Sequence, residues 1–394
     1  MLPAPRVRAE IKVTLNIGRH AKGEGQNLGP EVITLLDGPY PEKNSFCYRN
    51  LANGSLATKA GLFCCRDFLR IFADMNVGII GTGHIARKAA ATLSAMPDMQ
   101  CLAVGSRTAE KAGEFARREG IPRAYGSYAA LLEDPDVQLV YVATPHSAHF
   151  ANTRDAILAG KPCLVEKSFM LNATEAATIL ALAREKGVFV AEAIWPRYMP
   201  VRQIARELIA SGIIGEPKMI TATLAYNVSD KPRVLKPEMG GGALLDLGVY
   251  LLNFVRMYAD APVEKINTTC LLSSTGVDAT EVITLVLSDG TLASVQGSAW
   301  CQGSNEGVIA GTTGYLVFDD IIHPTVLRVC RKRHVVEREI PIPPEINGFE
   351  HQFRACREAI GAGLGEAPQM PHEEILYVMH LMDRLRAEWG VSFT

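Results

Sequence analysis

Lys167 stands just past the apolar run Cys163-Leu164-Val165 and the acid Glu166, at the end of a strand-like segment. A lysine there can point into a crevice, where its ammonium would bind a ribose and a substrate oxygen. The plainer reading is a surface lysine. A second group lies at Gly240-Gly241-Gly242-Ala243-Leu244-Leu245-Asp246-Leu247-Gly248-Val249-Tyr250. The glycines allow a tight loop entering a helix. Asp246 and Tyr250 are four apart, so both fall on one helical face. A carboxylate and a phenol on that face can hold sugar-like hydroxyls. Tyr250 can also pass a proton if Lys167 lowers its pKa. The plainer reading is a buried helix start with satisfied polar groups.

A third group is the stretch Gly81-Thr82-Gly83-His84-Ile85-Ala86, which follows the apolar run Asn76–Ile80. This is G-x-G-x-x-A at a strand-to-helix junction. Gly81 permits the tight turn, Gly83 lets the backbone approach a pyrophosphate, and Ala86 allows close helix–strand packing. Thr82, His84 and Ile85 belong to the same loop, whose helix start offers free N–H groups to phosphates. The next strand ends in Ser106-Arg107. An NAD-specific site usually places Asp or Glu there for the ribose hydroxyls. A hydroxyl and a guanidinium suit a ribose 2′-phosphate instead, so NADP is the expected cofactor, with NAD possible.

Three further strand ends are polar. One reads Thr144-Pro145-His146-Ser147, one Glu166-Lys167-Ser168, and one Glu192-Ala193-Ile194-Trp195-Pro196-Arg197-Tyr198. In doubly wound sheets ligands bind beyond the carboxyl ends of the strands. Thr144, His146, Glu166, Lys167, Trp195 and Arg197 are therefore candidate cofactor contacts. His146, His149 and Arg197 could equally be structural. No His/Cys cluster has metal-ligand spacing, so no metal is expected.

The elements that must position these groups change along the chain. From Met75 short apolar runs alternate with helical stretches: Cys101–Gly105, 109–118, Gln138–Ala143, 147–159, Cys163–Val165, 174–186 and Val188–Ala191. That alternation predicts a parallel sheet with right-handed crossovers. After about residue 215 strand-like runs follow one another, at 218–226, 263–272, 281–288, 292–299, 306–310, 315–318 and 325–330. A helix at 244–258 interrupts them. Turns such as Ser288-Asp289-Gly290 make this sheet antiparallel. Helices at 349–361 and 373–389 close the chain. The expected fold is α/β: an N-terminal Rossmann doubly wound parallel sheet, 75–195, plus a C-terminal α/β domain, 196–394, with a large mostly antiparallel sheet. The last helices are candidates to pack back on the first domain.

Composition sets the frame. Across 394 residues, 48% are hydrophobic and 21% charged, which is ordinary for a soluble globular chain. The net charge of −2 provides no field to recruit nucleic acid or an anionic membrane. No window approaches the roughly 20 apolar residues of a membrane span. Nine cysteines are scattered without a C-x-x-C pair, as expected for reduced thiols in the cytoplasm. Residues 1–74 lack a sustained period and are punctuated by Gly and Pro. They resemble neither a secretory signal nor a transit peptide. Met75 sits just before the first strand, so 1–74 is expected to be a disordered extension or a wrongly assigned start.

These residues together resemble the glucose–fructose oxidoreductase/inositol dehydrogenase/MocA (Gfo/Idh/MocA) oxidoreductases. The resemblance covers roughly 75–394. It rests on Gly81–Ala86, Ser106-Arg107, Glu166-Lys167, Gly240–Tyr250 and Gly311-Thr312-Thr313-Gly314. Tyr125-Gly126-Ser127-Tyr128, Glu192–Tyr198, Thr275–Thr280 and the ending Trp389–Phe393 are similar to the dimeric dihydrodiol dehydrogenase and NADP-dependent D-xylose dehydrogenase branch. The resemblance implies that Glu166-Lys167 is the family's glutamate–lysine pair, with Lys167 catalytic. It further implies that Tyr250 transfers the proton, that Asp246 precedes it by a turn, and that the open sheet face forms a homodimer. One departure is Ser168, where the family usually has proline. Proline would fix φ and remove an N–H, so Ser168 could relax the backbone that aims Lys167, unless its hydroxyl finds a contact.

The function expected is an NADP-dependent dehydrogenase of CH–OH groups. Its substrate would be a small sugar, cyclic polyol or trans-dihydrodiol. The rival is a non-catalytic NADP-binding sensor on the same fold, which Ser168 favours and the Lys167, Asp246 and Tyr250 set opposes. Reduction of a tetrapyrrole is a further reading, opposed by the few cations near the expected pocket.

Overall fold

The computed structural model describes residues 75–393 and, in the preceding segment, the strands β1 (Ile11–Leu15) and β2 (Glu31–Leu35). The chain divides into two units between Phe72 and Ala73. In the first, β1 and β2 pair antiparallel, an element the sequence reading lacks. The remainder of the expectation for 1–74 lies outside the described residues.

The second unit begins with a six-stranded parallel sheet. Its strands are β3 (Met75–Ile80), β4 (Met99–Gly105), β5 (Arg123–Tyr125), β6 (Leu139–Val142), β7 (Cys163–Glu166) and β8 (Val190–Ala193), in the order β5-β4-β3-β6-β7-β8. Strands β6 to β8 are buried along their length, as helices on both faces require. The helices are α1 (His84–Ala95), α2 (Ala109–Glu119), α3 (Tyr128–Leu132), α4 (His146–Leu158) and α5 (Ala173–Lys186). Local chemistry sets their ends. Thr108 and Asn172 accept the amides of Lys111 and Glu175 at the starts of α2 and α5, and left-handed Gly120 and Gly187 close them. Strand order reverses between β3 and β6, so a crevice opens at their carboxyl ends.

The short strand β5 and helix α3 are absent from the sequence reading. Three residues give no period, and side chains reinforce the pairing of β5 with β4. Arg123 bonds Asp134 and Asp136, and Tyr125 donates to Asp134.

The second sheet has eight strands: β9 (Pro217–Ala225), β10 (Val263–Leu272), β11 (Asp278–Leu287), β12 (Leu292–Ser298), β13 (Gly307–Gly311), β14 (Tyr315–Phe318), β15 (Val326–Arg331) and β16 (Val335–Pro341). The order is β10-β11-β12-β9-β13-β14-β15-β16, antiparallel except where β12 meets β9. The edge strand β16 was not expected, because Glu337, Arg338 and Glu339 break its apolar pattern; charge suits an exposed edge. Helix α6 (Pro200–Ala210), also unexpected, leads into this sheet, and α7 (Val249–Tyr258) packs against β9 and β12.

Helices α8 (Glu350–Gly361) and α9 (His372–Trp389) return to the parallel sheet. Asp383 accepts the Ala173 amide at 2.9 Å, and a His372 ring nitrogen lies 2.9 Å from the Val190 carbonyl. Of the six described cysteines, all free, Cys163, Cys330 and Cys356 are buried and Cys301 is exposed. Among the described residues no helix is long and apolar enough to cross a membrane.

Candidate active site

The glycine loop takes the form its sequence predicts. Gly81 has φ +119°, and a Cβ there would sit 2.5 Å from the Ala143 carbonyl oxygen, at the β3–β6 crevice. No side chain could occupy that point. A Cβ on Gly83 would meet nothing within 4 Å, so the loop faces open space. Helix α1 starts at His84 with no side-chain cap, leaving its first amides for a ligand. Ala86 is fully buried against the sheet. These features fit a dinucleotide pyrophosphate. At the end of β4, Ser106 is buried and Arg107 is exposed. The Ser106 amide bonds the Tyr125 carbonyl, which fixes the turn that presents Arg107.

Lys167 lies at the carboxyl end of β7, and its Nζ donates to the Asp246 carbonyl at 2.7 Å and to Asp246 Oδ1 at 3.0 Å. The same ammonium stands 5.0 Å from the centre of the Tyr250 ring. Lys167, Asp246 and Tyr250, remote in sequence, are therefore brought together. They do not meet on a plain α-helix as expected. Leu244–Gly248 forms a single wide π-type turn ahead of α7, and Lys167 reaches both a carbonyl and a carboxylate of that turn. Gly242, at φ +114°, admits the chain to this turn; a Cβ there would collide with Asp278.

The electrostatics follow from burial and from these neighbours. Burial alone would raise the Asp246 carboxyl, but Lys167 and Arg233 hold it well below the usual carboxylate range. Arg233 comes from the short helix Pro232–Leu235 and lies 2.6 Å from Asp246 Oδ1. Sequence reasoning missed it, and only its place shortly before the glycine stretch could have drawn attention to it. The Tyr250 phenol departs from expectation. Burial first, then the Glu166 carboxylate, push it well above its ordinary value, and a hydrogen bond from Trp195 opposes the rise. Lys167 does not make it acidic, so the phenol is protonated near neutral pH.

The remaining candidates divide. Glu166 is buried, with Oε1 against the Tyr141 hydroxyl and Oε2 accepting its neighbour's amide at 3.2 Å. Burial raises its pKa. In this geometry the carboxyl anchors the Lys167 turn. The ring nitrogens of His146 lie 2.9 Å from the Gly240 carbonyl and 3.1 Å from the Lys167 carbonyl. Burial, with His149 and Lys167, pushes its pKa down to about 4, so the ring is neutral and its single N–H donates to only one of these two carbonyls at a time. Thr144 accepts from Asn152 at 3.0 Å, and its carbonyl lies 2.9 Å from a His149 nitrogen. Trp195 is buried against Phe349 and His323, with the Lys88 ammonium 4.5 Å over its ring.

Arg197 needs correction. Expected among the cofactor contacts, it is turned inward, where Nε bonds Asn253 at 2.5 Å and Nη2 bonds Glu374 at 2.9 Å. A buried guanidinium must be paired, and its carboxylate comes from α9. Ser168 is completely buried and its hydroxyl donates to the Leu245 carbonyl at 2.9 Å, linking the Lys167 loop to the π-type turn. The hydroxyl contact that could replace proline is thus present.

The chain is similar to known proteins over most of its length. A family model described as the Gfo/Idh/MocA oxidoreductase family, NAD-binding Rossmann fold, matches residues 75–193, and the C-terminal domain model of the same family matches 203–317. A trans-1,2-dihydrobenzene-1,2-diol dehydrogenase of Mus musculus is 34% identical over 334 residues, spanning 80% of this chain and 97% of the relative. The same enzyme of Bos taurus is 34% identical over 329 residues, with the same coverage. Among solved structures, a 3-ketoreductase from Actinomadura kijaniata in complex with NADP and TDP-benzene superposes with a TM-score of 0.73 at 27% identity. It covers 80% of this chain and 97% of that one.

Proposed function

The chain belongs to the Gfo/Idh/MocA oxidoreductase family, and from that premise we propose that Lys167 and Tyr250 are its catalytic pair, with Asp246 orienting the lysine. The protein is an NAD(P)-dependent dehydrogenase acting on CH–OH groups of a sugar or diol, and NADP is its cofactor. The bound nicotinamide supplies hydride acceptance and donation. The chain's own residues handle charge and protons. The Gly81–Ala86 loop and the start of α1 receive the pyrophosphate, and Arg107 receives the 2′-phosphate. Lys167, fixed by the Asp246 carbonyl and carboxylate, stabilises negative charge on the substrate oxygen. Tyr250 moves a proton at that same oxygen. With its phenol protonated at rest, it is prepared to donate to a carbonyl, and oxidation reverses the transfer. We extend the reading to trans-dihydrodiols, cyclic polyols and aldoses as the substrate class, because the dihydrodiol dehydrogenase relatives match 80% of this chain and 97% of their own length.

The observation that carries this reading is the meeting of Lys167, Asp246 and Tyr250 beside the glycine-loop crevice. Lys167→Met and Tyr250→Phe test it with NADP⁺ and D-xylose or a cyclic diol. Positioned acid–base groups contribute about 10²–10⁴-fold, so kcat should fall at least ~100-fold in each variant while NADP binding is retained. Unchanged turnover in either variant would remove that residue from the mechanism. An inactive wild-type protein that still binds NADP would favour the sensor reading.

The open face of the eight-stranded sheet bears Met219, Val282 and Leu292, all exposed. Leu292 pairs with Met219 in register, so the apolar side chains adjoin. We propose that two copies join through this face.

A further inference from the structure

Arg197, drawn away from the cofactor loops, leads to a cavity of about 440 Å³ on which nothing in the dehydrogenase reading depends. Four arginines line it: Arg197, Arg202, Arg206 and Arg256. Only two carboxylates join them, Asp260 and Glu374. The floor is neutralised in part, because Glu374 is shared at 2.9 Å by Arg197 and Arg256. At the rim Arg206 pairs with Asp260 at 3.0 Å. Two positive charges are left over. One is on the Arg197–Arg256 pair that shares Glu374, and the other is on Arg202, which has no carboxylate partner among the described residues. Its Nη1 donates to the carbonyls of Arg197 and Gln369, at 3.2 and 2.9 Å, while its Nε is buried and donates to nothing described. Burial first, then Arg197 and Arg206, push this guanidinium down to about 10. The rest of the lining is Gln203, Pro368, Gln369 and Pro371, with no aromatic face on which a base or sugar ring could stack.

We infer that this cavity binds a compact phosphate dianion, either the free ion or a monoester, with Arg202 as the main donor and rim Arg206 turning part of its fork from the exposed Asp260 to the anion. Two surplus guanidinium charges match the dianion, and the planar fork of arginine donates to phosphate oxygens in pairs. The cavity shares no residue with the Gly81–Ala86 loop or with Ser106 and Arg107. It is nevertheless coupled to the reactive helix. Arg197 bonds Asn253, which lies on α7 three residues beyond Tyr250 and itself donates to the Val249 carbonyl at 2.8 Å. A bound anion would therefore act on the frame of α7 and not on the cofactor.

The test uses the full chain saturated with NADP⁺, so that the cofactor's own phosphate sites are filled. Thermal midpoints are followed against inorganic phosphate and against methyl phosphate, with sodium chloride at matched ionic strength as the control. A saturable rise with phosphate and none with chloride is expected. Arg202→Gln and Arg206→Gln should each weaken the apparent affinity about tenfold, as loss of one charge-assisted pair implies. Saturation by inorganic phosphate alone identifies the free ion, and by methyl phosphate alone a monoester. Half-exposed Arg206 keeps the test decisive if Arg202→Gln does not fold. The inference is overturned if neither anion gives a saturable shift, or if the variants bind as the wild type does.

Discussion

Glu281 should make this protein less stable as pH rises, and replacing it with glutamine should remove that loss. The residue lies on β11 with no solvent exposure, and neither carboxyl oxygen has a partner among the described residues. Asp278 and Cys270 lie nearby, and the glycines of two elements press on it. A Cβ placed on Gly248 or Gly297 would come within 2.7 or 2.6 Å of Glu281 Oε1. Burial, reinforced by nearby Asp278, pushes its pKa well above the ordinary value, because an isolated carboxylate there would forfeit its hydration. The folded protein thus holds the neutral acid, whereas the unfolded chain ionises at about pH 4.3. Below that pH both states carry the proton and nothing is lost. Above it the unfolded state releases a proton that the folded state keeps. Each further unit then costs about 1.36 kcal/mol until the folded group also ionises. Glu281→Gln keeps the size and the unpaired polarity of the neutral acid but cannot titrate. The variant should match the wild type near pH 4.5 and become progressively more stable than it as the pH rises from there. Asp278, raised to about 6 by burial, is present in both proteins, but only in the wild type does its charge above that pH reinforce a neutral Glu281. Urea unfolding of both proteins between pH 4.5 and 7, at fixed ionic strength, measures this. A stability difference independent of pH would refute the reasoning, since it would mean that Glu281 is ionised and paired in the folded state. Because Glu281 touches the π-type turn from behind, NADP affinity should not change.

Two further outcomes are expected. Arg107→Asp should raise the KM for NADP about 10- to 100-fold, the worth of one charge-assisted phosphate contact, and leave the KM for NAD unchanged or lower; equal effects on both cofactors would take Arg107 away from the 2′-phosphate. Met219→Lys with Leu292→Glu should shift the sedimenting species from two copies to one without unfolding the chain, and a monomeric wild type would dismiss the sheet-face dimer.

Parts of the site were legible because their chemistry is local. Gly81 and Gly83 are demanded by a strand-to-helix junction, which hydrophobic periodicity reveals without any distant contact. Ser106-Arg107 follows the next strand at the spacing the doubly wound fold imposes. Lys167 could be placed at a strand end, but the groups that aim its ammonium could not. The Asp246 carbonyl is freed toward it by a wide turn that an i, i+4 pattern reads as ordinary helix. Arg233 arrives from a four-residue helix too short to show a period. Arg197 shows the converse error. Its position beside a polar strand end suggested a ligand contact, but a carboxylate from α9, 177 residues later, claims it.

The sequence by itself determined the two sheet types, the dinucleotide loop and the candidates for the reacting groups, because period and turn chemistry act over a few residues. Only the tertiary structure decided which charges meet. It turned Arg197 into a buried network, set Arg233 on Asp246, and left Glu281 without a partner. It also kept the Tyr250 phenol protonated, where the sequence suggested that a lysine would make it acidic. Desolvation and Coulomb interaction depend on distances between remote segments, and no spacing along one chain encodes those directly.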